Sequence, residues 1–133
     1  CTPPEEKKMA KQQLDKTDRG GTPLGMRDTL KKATTEMLVL FMLRQKPMYT
    51  YEMTRSIEQA TDGKLTYNTL YLAVHRLLEN AYIYEAEKCI EDGRARIYLA
   101  PTEAGLEYYR ALHDEFFAFT DILKGLLEKD GAL

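Results

Sequence analysis

The sequence predicts a mainly α-helical protein with one small β-hairpin, an α+β fold that ends in a long helix. Three observations lead to this prediction. Apolar residues recur at helical spacing before residue 80, they alternate strictly over residues 94–100, and they return to helical spacing after residue 102. The chain of 133 residues is long enough for one hydrophobic core but not for two large ones.

Charge is distributed unevenly along the chain. The formal net charge is −2 and the pI is about 5.8, whereas a basic surface is the usual mark of a nucleic-acid-binding domain. Residues 1–32 nevertheless carry an excess of basic side chains, and residues 99–133 carry an excess of acidic ones. The overall charge therefore argues against nucleic acid, but its distribution leaves that partner open.

Composition also bears on where the protein acts. The most apolar run, Met37–Leu43, is far shorter than the roughly 20 residues that span a bilayer, and no secretory signal opens the sequence. The two cysteines, Cys1 and Cys89, do not form a disulfide framework. We expect a reduced, cytoplasmic protein without membrane contact.

The first helix is predicted to follow a polar arm. Residues 1–27 are punctuated by Pro and Gly and predict a flexible arm, whose GGTPLG segment lacks the spacing and the Lys-Ser/Thr ending of a phosphate loop. The helix is expected to begin near Asp28 as its N-cap and to end near Gln45, before Lys46-Pro47. Its apolar stripe consists of Leu30, Ala33, Met37, Leu40 and Phe41.

Two further helices are predicted close together. The second begins near Thr50 and ends at Gly63, and the third runs from Thr66 to Asn80. A connection of only Gly63–Leu65 between them is typical of a helix-turn-helix.

The third helix has an unusual outer face. On a helical wheel, Leu70, Val74 and Leu77 lie on the inner side. In a helix-turn-helix, the N-terminal residues of the second helix reach base edges in the major groove. The outer side holds Asn68, Leu72, His75 and Glu79, with Tyr67 and Tyr71 flanking them. Leu72 is the apolar exception on this outer side, and it is expected either to meet a thymine methyl group or to pack on a neighbouring element.

A hairpin follows the third helix. In residues 94–100, Ala95, Ile97 and Leu99 point one way and the residues between them point the other, after a turn at Glu91-Asp92-Gly93. A hairpin with a basic tip directly after a helix-turn-helix predicts a winged helix. We expect Arg94 and Arg96 to contact phosphates.

The last helix is predicted to dimerise. Thr102 is a suitable N-cap and Glu103 suits the positive end of the helix dipole. Apolar residues then recur at spacings of three and four, which is typical of coiled-coil packing, and we expect the helix to pair with a second copy of the chain. The predicted seam consists of Tyr109, Leu112, Phe116, Phe119, Leu123 and Leu126.

The segments YTYEMTRSIEQ, LTYNTLYLAVHRLLENAYI and DGRARIYLAPTEAG resemble, in order and spacing, the PadR family of bacterial transcriptional regulators. The resemblance covers residues 28–106. It implies a homodimeric winged-helix repressor that binds a palindromic operator in double-stranded DNA, dimerises through its C-terminal helix and is released by a small aromatic or drug-like effector. The matching positions are Thr69, Leu70, Tyr71, Ala73, Arg76, Leu77, Ile83, Gly93, Arg94, Arg96, Tyr98, Thr102 and Gly105.

The resemblance assigns DNA contact to Thr69, Tyr71, Arg94 and Arg96 by position. The helical wheel adds four further residues to this set: Thr66, Tyr67, Asn68 and His75. The chain departs from the family pattern on the proposed DNA face, so the operator sequence does not carry over. The departures are Asn68 for Gly, Leu72 for Pro, Leu78 for Glu, Ala81 for Gly, Ala95 for the wing Pro and Leu99 for an aromatic residue.

Two effector-related expectations concern aromatic residues. The sequence has no Trp, which excludes the Trp-lined drug site of part of the family. Phe116, Phe117 and Phe119 have two interpretations, as the lining of an aromatic pocket at the dimer interface or as ordinary core.

The domain organisation expected from these patterns is an arm over residues 1–27, a winged-helix DNA-binding domain over 28–101 and a dimerisation helix over 102–133. A winged-helix protein-interaction module that does not bind DNA is the alternative function, favoured by the acidic pI.

We do not expect an enzyme, because the sequence does not bring together side chains that could form a catalytic or metal site. The consecutive His113, Asp114 and Glu115 splay over different sides of a helix and form neither a triad nor a metal site, and His75 and Cys89 lack further zinc ligands at suitable spacing. We expect no metal and no cofactor.

Overall fold

A computed structural model describes residues 21–68 and 70–131, and it confirms the mainly α fold with a small antiparallel hairpin and a long final helix. The chain divides into two compact units, Cys1–Thr35 and Glu36–Leu133. No helix within the described ranges has the length and apolar character needed to cross a membrane. The elements are α1 (Pro23–Gln45), α2 (Thr50–Ala60), α3 (Tyr71–Glu79), β1 (Ile83–Glu91), β2 (Arg94–Pro101) and α4 (Glu103–Leu127).

Helix α1 begins five residues before the predicted start at Asp28. The Thr22 Oγ1 atom accepts a hydrogen bond from the backbone N–H of Gly25 at 2.9 Å and so caps the helix. Pro23 occupies the first helical position, where its missing N–H is not needed. The predicted start at Asp28 was wrong because the cap at Thr22, followed by Pro23, begins the helix earlier. Of the arm predicted over residues 1–27, residues 23–27 belong to this helix, so the predicted boundary is wrong, and residues 1–20 lie outside the described residues.

The hydrophobic core lies in the second unit and draws on every element there. Leu40 and Leu43 of α1 and Leu77 of α3 are each no more than 2% exposed. The predicted inner side of α3 is confirmed, because Leu70, Val74 and Leu77 are all buried. The largest fully buried side chains are Leu40, Leu43, Met53, Leu70, Leu77, Ile83 and Val39.

The connection between α2 and α3 is longer than predicted. Helix α2 ends at Ala60, and the Gly63 N–H bonds the Glu58 carbonyl at 2.8 Å with Gly63 in the left-handed region at φ +75°. Helix α3 begins only at Tyr71, so the predicted start at Thr66 is wrong. Tyr67 is buried and Leu65 packs against the core, and their spacing of two residues is that of extended chain rather than helix.

The predicted hairpin is present, but burial along β2 does not alternate as predicted, because Ala95 and Ile97 are exposed while Arg96 and Tyr98 are partly buried. Strands β1 and β2 pair antiparallel with Cys89 opposite Arg96 and Glu91 opposite Arg94. Leu99, on the other side of β2, is buried in the core and exchanges two backbone hydrogen bonds with Met48, of 2.9 and 3.3 Å. These bonds attach the segment before α2 to the base of the wing.

Helix α4 is anchored at its start. The Thr102 Oγ1 atom accepts from the Gly105 N–H at 3.0 Å and donates to the Ala81 carbonyl at 2.7 Å, so the predicted N-cap is confirmed. Gly105 is buried, and a Cβ atom at this position would overlap the carbonyl oxygen of Tyr82. The first turn of α4 therefore lies directly on the chain that connects α3 to β1.

Candidate nucleic-acid interface

Three elements meet at one open cleft. The beginning of α2, the first residue of α3 and the outer part of β2 enclose a volume of about 210 Å³. The core beneath them fixes all three, because the buried side chains Met53, Leu77 and Leu99 come one from each. The cleft is lined by Tyr49, Thr50, Tyr51, Tyr71, Ala95, Arg96 and Ile97.

Helix α3 presents a continuous exposed face. Tyr71 is 66% exposed and Leu72 is 71% exposed, while Ala73 and Val74 beside them are buried. His75 and Glu79 are exposed and form an i, i+4 pair with 2.6 Å between His75 Nε2 and Glu79 Oε1. The exposed face thus combines an aromatic, an apolar and a paired polar group.

Arg76 of α3 contacts α1, although its side chain, one turn after Leu72, remains 55% exposed. Its Nε atom donates to Glu36 Oε1 of α1 at 2.7 Å, and the Tyr108 hydroxyl of α4 donates to Glu36 Oε2 at 2.9 Å. Desolvation, followed by the hydrogen bond to Glu36, raises the pKa of Tyr108 above its usual value. Glu36 therefore ties α1, α3 and α4 together. The only indication of this link in the sequence was a carboxylate beside an apolar run.

The two wing arginines occupy different environments. Arg94 is exposed, and within residues 21–68 and 70–131 no ion pair involves it. The guanidinium carbon of Arg96 lies 4.4 Å from the ring centroid of Tyr49, and its Nε atom is buried without an acceptor among the described residues. Arg94 is a free cation at the tip, whereas Arg96 is held in place at the cleft.

Tyr49 also connects Arg96 to a second group in the wing. Its ring meets that of Tyr98 edge-on at 5.4 Å, and the Tyr98 hydroxyl donates to Glu91 Oε1 at 2.8 Å. This hydrogen bond, followed by desolvation, raises the pKa of Tyr98 to about 12. Desolvation and a hydrogen bond to Glu91 also raise the pKa of Cys89, which keeps that thiol protonated and weakly nucleophilic near neutral pH.

The Tyr98 titration is a direct check of this network. Because the folded-state pKa lies above the ordinary value of 10.0, the folded state holds the proton more tightly, and this contribution to stability is lost as the pH rises towards 12. Glu91→Gln is expected to bring the Tyr98 pKa back towards 10, followed by NMR of ring-labelled tyrosine. Glu107→Gln on α4 is the control. An unchanged Tyr98 titration in Glu91→Gln would show that the hydrogen bond is absent.

The predicted DNA-contacting residues are not all brought to this surface. Asn68 is exposed in the connection before α3, Thr66 is half-buried, and Thr69 lies outside the described residues. Tyr67 is only 7% exposed and belongs to the core, so its predicted place on the outer face is wrong. The remaining four lie at the surface described above: Tyr71, His75, Arg94 and Arg96. Tyr49 was missed, and its only signal was an aromatic residue directly before a helix.

The predicted seam on α4 divides into two parts. Tyr109 is 8% exposed and packs near Phe41, with ring centroids 6.3 Å apart, so it is a core residue of its own chain. This burial corrects its assignment to an interface between chains. Leu112 packs against the same core and Phe116 is partly buried. The exposed part of the seam consists of Phe119, Leu123 and Leu126.

An apolar cleft of about 260 Å³ lies between α1 and α4 within the second unit. Phe116 and Phe117 line it, whereas Phe119 does not and is 60% exposed. His113 is its one imidazole and lies 4.8 Å, centroid to centroid, from Phe117. The complete lining is Met37, Leu38, Phe41, Tyr109, His113, Phe116 and Phe117.

Residues 39–111 match the model of the transcriptional regulator PadR-like family. The chain belongs to the PadR-like family of transcriptional regulators. This membership agrees with the winged-helix fold and with a DNA-binding regulator rather than an enzyme. It also favours a DNA-binding function over the protein-interaction module.

Solved structures of PadR-like and other regulators share this fold. A PadR family transcriptional regulator from Eggerthella lenta is 27% identical, with 90% of this chain and 97% of that chain covered at a TM-score of 0.68. A transcriptional regulator from Clostridium thermocellum is 25% identical, with 73% and 96% covered and a TM-score of 0.67. A PadR-like regulator from Bacillus cereus, 20% identical with 74% and 96% covered, shares the fold at a TM-score of 0.61. A search of curated proteins gave no match.

Proposed function

We propose that this PadR-like regulator is a repressor that binds a palindromic operator as a homodimer through α3 and the wing. The observation that carries the proposal is the convergence of the exposed start of α3 with Arg96 of β2 at one cleft. Arg94 extends this surface to the wing tip. A recognition helix and a basic wing on one side of the domain match the two grooves that a winged helix meets on a duplex.

The proposed contacts divide into two chemical groups. Asn68 and His75 offer hydrogen-bonding groups to base edges, and an Asn side chain can bond adenine through two hydrogen bonds. The hydroxyls of Thr66, Thr69 and Tyr71 bind phosphate oxygens, which position the protein without reading sequence. Arg94 and Arg96 neutralise phosphates. Tyr67 is left out of the contact set because it is buried.

The dimer is proposed from the exposed half of α4. Phe119, Leu123 and Leu126 are 60%, 42% and 48% exposed and lie on one side of the helix. A second copy would cover these apolar side chains and place two recognition helices on successive turns of the major groove, about 34 Å apart. We propose residues 28–101 as the DNA-binding part and 102–133 as the dimerising part.

An effector site is proposed in the cleft between α1 and α4. Its lining is almost entirely apolar and aromatic, and its volume of about 260 Å³ suits a small aromatic molecule. His113 can donate to or accept from a hydroxyl or carboxylate on such a ligand. Because α4 also carries the exposed seam, a ligand here would alter the relation between the two DNA-binding surfaces of a dimer.

The salt dependence of operator affinity tests the arginine assignments. Each wing arginine that neutralises one phosphate adds about 0.9 to the slope of log affinity against log salt. Arg94→Ala and Arg96→Ala are each expected to lower the slope of a dimer by roughly 1.8, since each substitution is present twice. Arg110→Ala on α4 removes the same charge from an exposed position and should leave the slope unchanged. Equal slopes in all three variants would contradict phosphate contact by the wing.

A further inference from the structure

Leu72 is an exposed apolar residue at the N-terminal end of α3. It lies in the first turn of the helix and is 71% exposed. Such exposure rules out packing against a neighbouring element within the described ranges, which was one of the two expectations for this residue. Ala73, Val74 and Leu77 are the residues of the same helix that pack into the core. Leu72 is therefore not part of the core.

The neighbours of Leu72 on the exposed face are polar or amphipathic. Leu72, His75 and Glu79 follow one another at helical spacing along this face, and His75 and Glu79 are paired. Tyr71 flanks Leu72 on the side of the cleft. Leu72 therefore presents one apolar group of its own size within a surface that otherwise forms hydrogen bonds.

We propose that Leu72 is a specificity-determining residue that contacts the C5-methyl group of a thymine in each operator half-site. The inference rests on the proposed function, since it requires α3 to enter the major groove. Each base pair presents a distinct pattern there, and the thymine methyl group is the apolar feature of those patterns. A leucine side chain among hydrogen-bonding neighbours complements that feature.

The size of the apolar group favours a base over a protein partner. A specific protein interface buries about 800 Å² on each side around a clustered apolar centre. Leu72 is flanked by the hydrogen-bonded His75–Glu79 pair and by the partly polar Tyr71, so it does not extend into such a centre. The methyl group of one thymine is an apolar partner of the size that this isolated side chain can contact.

Replacement of thymine by uracil tests the inference, because it removes the methyl group and leaves every hydrogen-bonding group of the base in place. In an operator selected with the wild-type protein, each thymine pair of the palindrome is replaced in turn. The loss of one methyl contact is worth about fourfold in affinity, so a symmetric replacement, which removes two such contacts, should weaken wild-type binding by roughly fifteenfold at one position. Leu72→Ala should bind the thymine and uracil operators equally, and Leu72→Met should retain part of the discrimination.

The outcomes separate this inference from the proposed function. If every uracil operator binds the wild-type protein as the thymine operator does, while Arg94→Ala still weakens binding, DNA binding stands and the role of Leu72 is overturned. If Leu72→Ala weakens binding but keeps the full thymine preference, the methyl group is contacted by another residue and the inference is again overturned. If no operator is selected, the proposed function itself fails. Circular dichroism of Leu72→Ala confirms that the exposed substitution leaves the fold intact.

Discussion

Gly105→Ala is expected to lower the free energy of unfolding by about 3 kcal/mol, at the upper end of the usual cost of overpacking. The added Cβ would overlap the carbonyl oxygen of Tyr82, which is backbone and cannot rotate away like a side chain. That carbonyl is also held by the Thr102 N–H at 3.0 Å. Helix α4 would have to lift from the chain before β1, and its cap would be lost with it. Denaturant unfolding followed by circular dichroism measures the change.

Gly125→Ala is the matched control in the same helix. Apart from its own stretch of helix, nothing in residues 21–68 and 70–131 lies within 4 Å of its added Cβ, and alanine is favoured over glycine inside a helix by up to about 1 kcal/mol. This variant is expected to be as stable as the parent or slightly more stable. Equal destabilisation by both substitutions would mean that the close approach of Gly105 to Tyr82 is not the cause.

Leu123→Lys is expected to convert the proposed dimer to a monomer and to reduce operator affinity by about 100-fold or more, because a monomer loses the gain from binding two linked half-sites. Leu123 lies in the exposed part of the α4 seam, where a second copy is proposed to pack. The substitution adds a positive charge, so phosphate repulsion cannot explain a loss of DNA affinity. Sedimentation measures the mass, and fluorescence anisotropy measures binding to a full operator and to a single half-site.

Asp121→Asn is the control for charge on α4. It changes the net charge by the same unit but lies on the opposite side of the helix from the seam, two residues before Leu123. It should remain dimeric and bind the operator normally. A dimeric Leu123→Lys protein with full operator affinity would place the dimer interface elsewhere.

The fold class followed from patterns that are local in sequence. The hairpin turn at Asp92-Gly93 and the Thr102 cap each depend on neighbours in the chain, and both were confirmed. The start of α3 was missed for a physical reason. Helical and extended spacing cannot be told apart over a short segment, and burial of Tyr67 in the core selected the extended form.

The parts of the site that were missed depend on contacts distant in sequence. Arg76 matched the family pattern, but its partner Glu36 lies forty positions earlier. Arg96 was correctly placed on the wing, whereas the aromatic ring of Tyr49 that holds it precedes α2. Neither partner is adjacent to its arginine along the chain, so periodicity carries no information about the pairing.

Selection of binding sites from random duplex DNA with the purified protein, followed by titration of the selected site against salt, decides whether α3 and the wing form an operator-binding surface. We expect a palindrome with half-sites about one helical turn apart, a steep fall of affinity with salt, and weaker binding by Tyr71→Ala. If no sequence is enriched over non-specific DNA and Tyr71→Ala binds as the parent does, the surface formed by α3 and the wing is not an operator-binding surface.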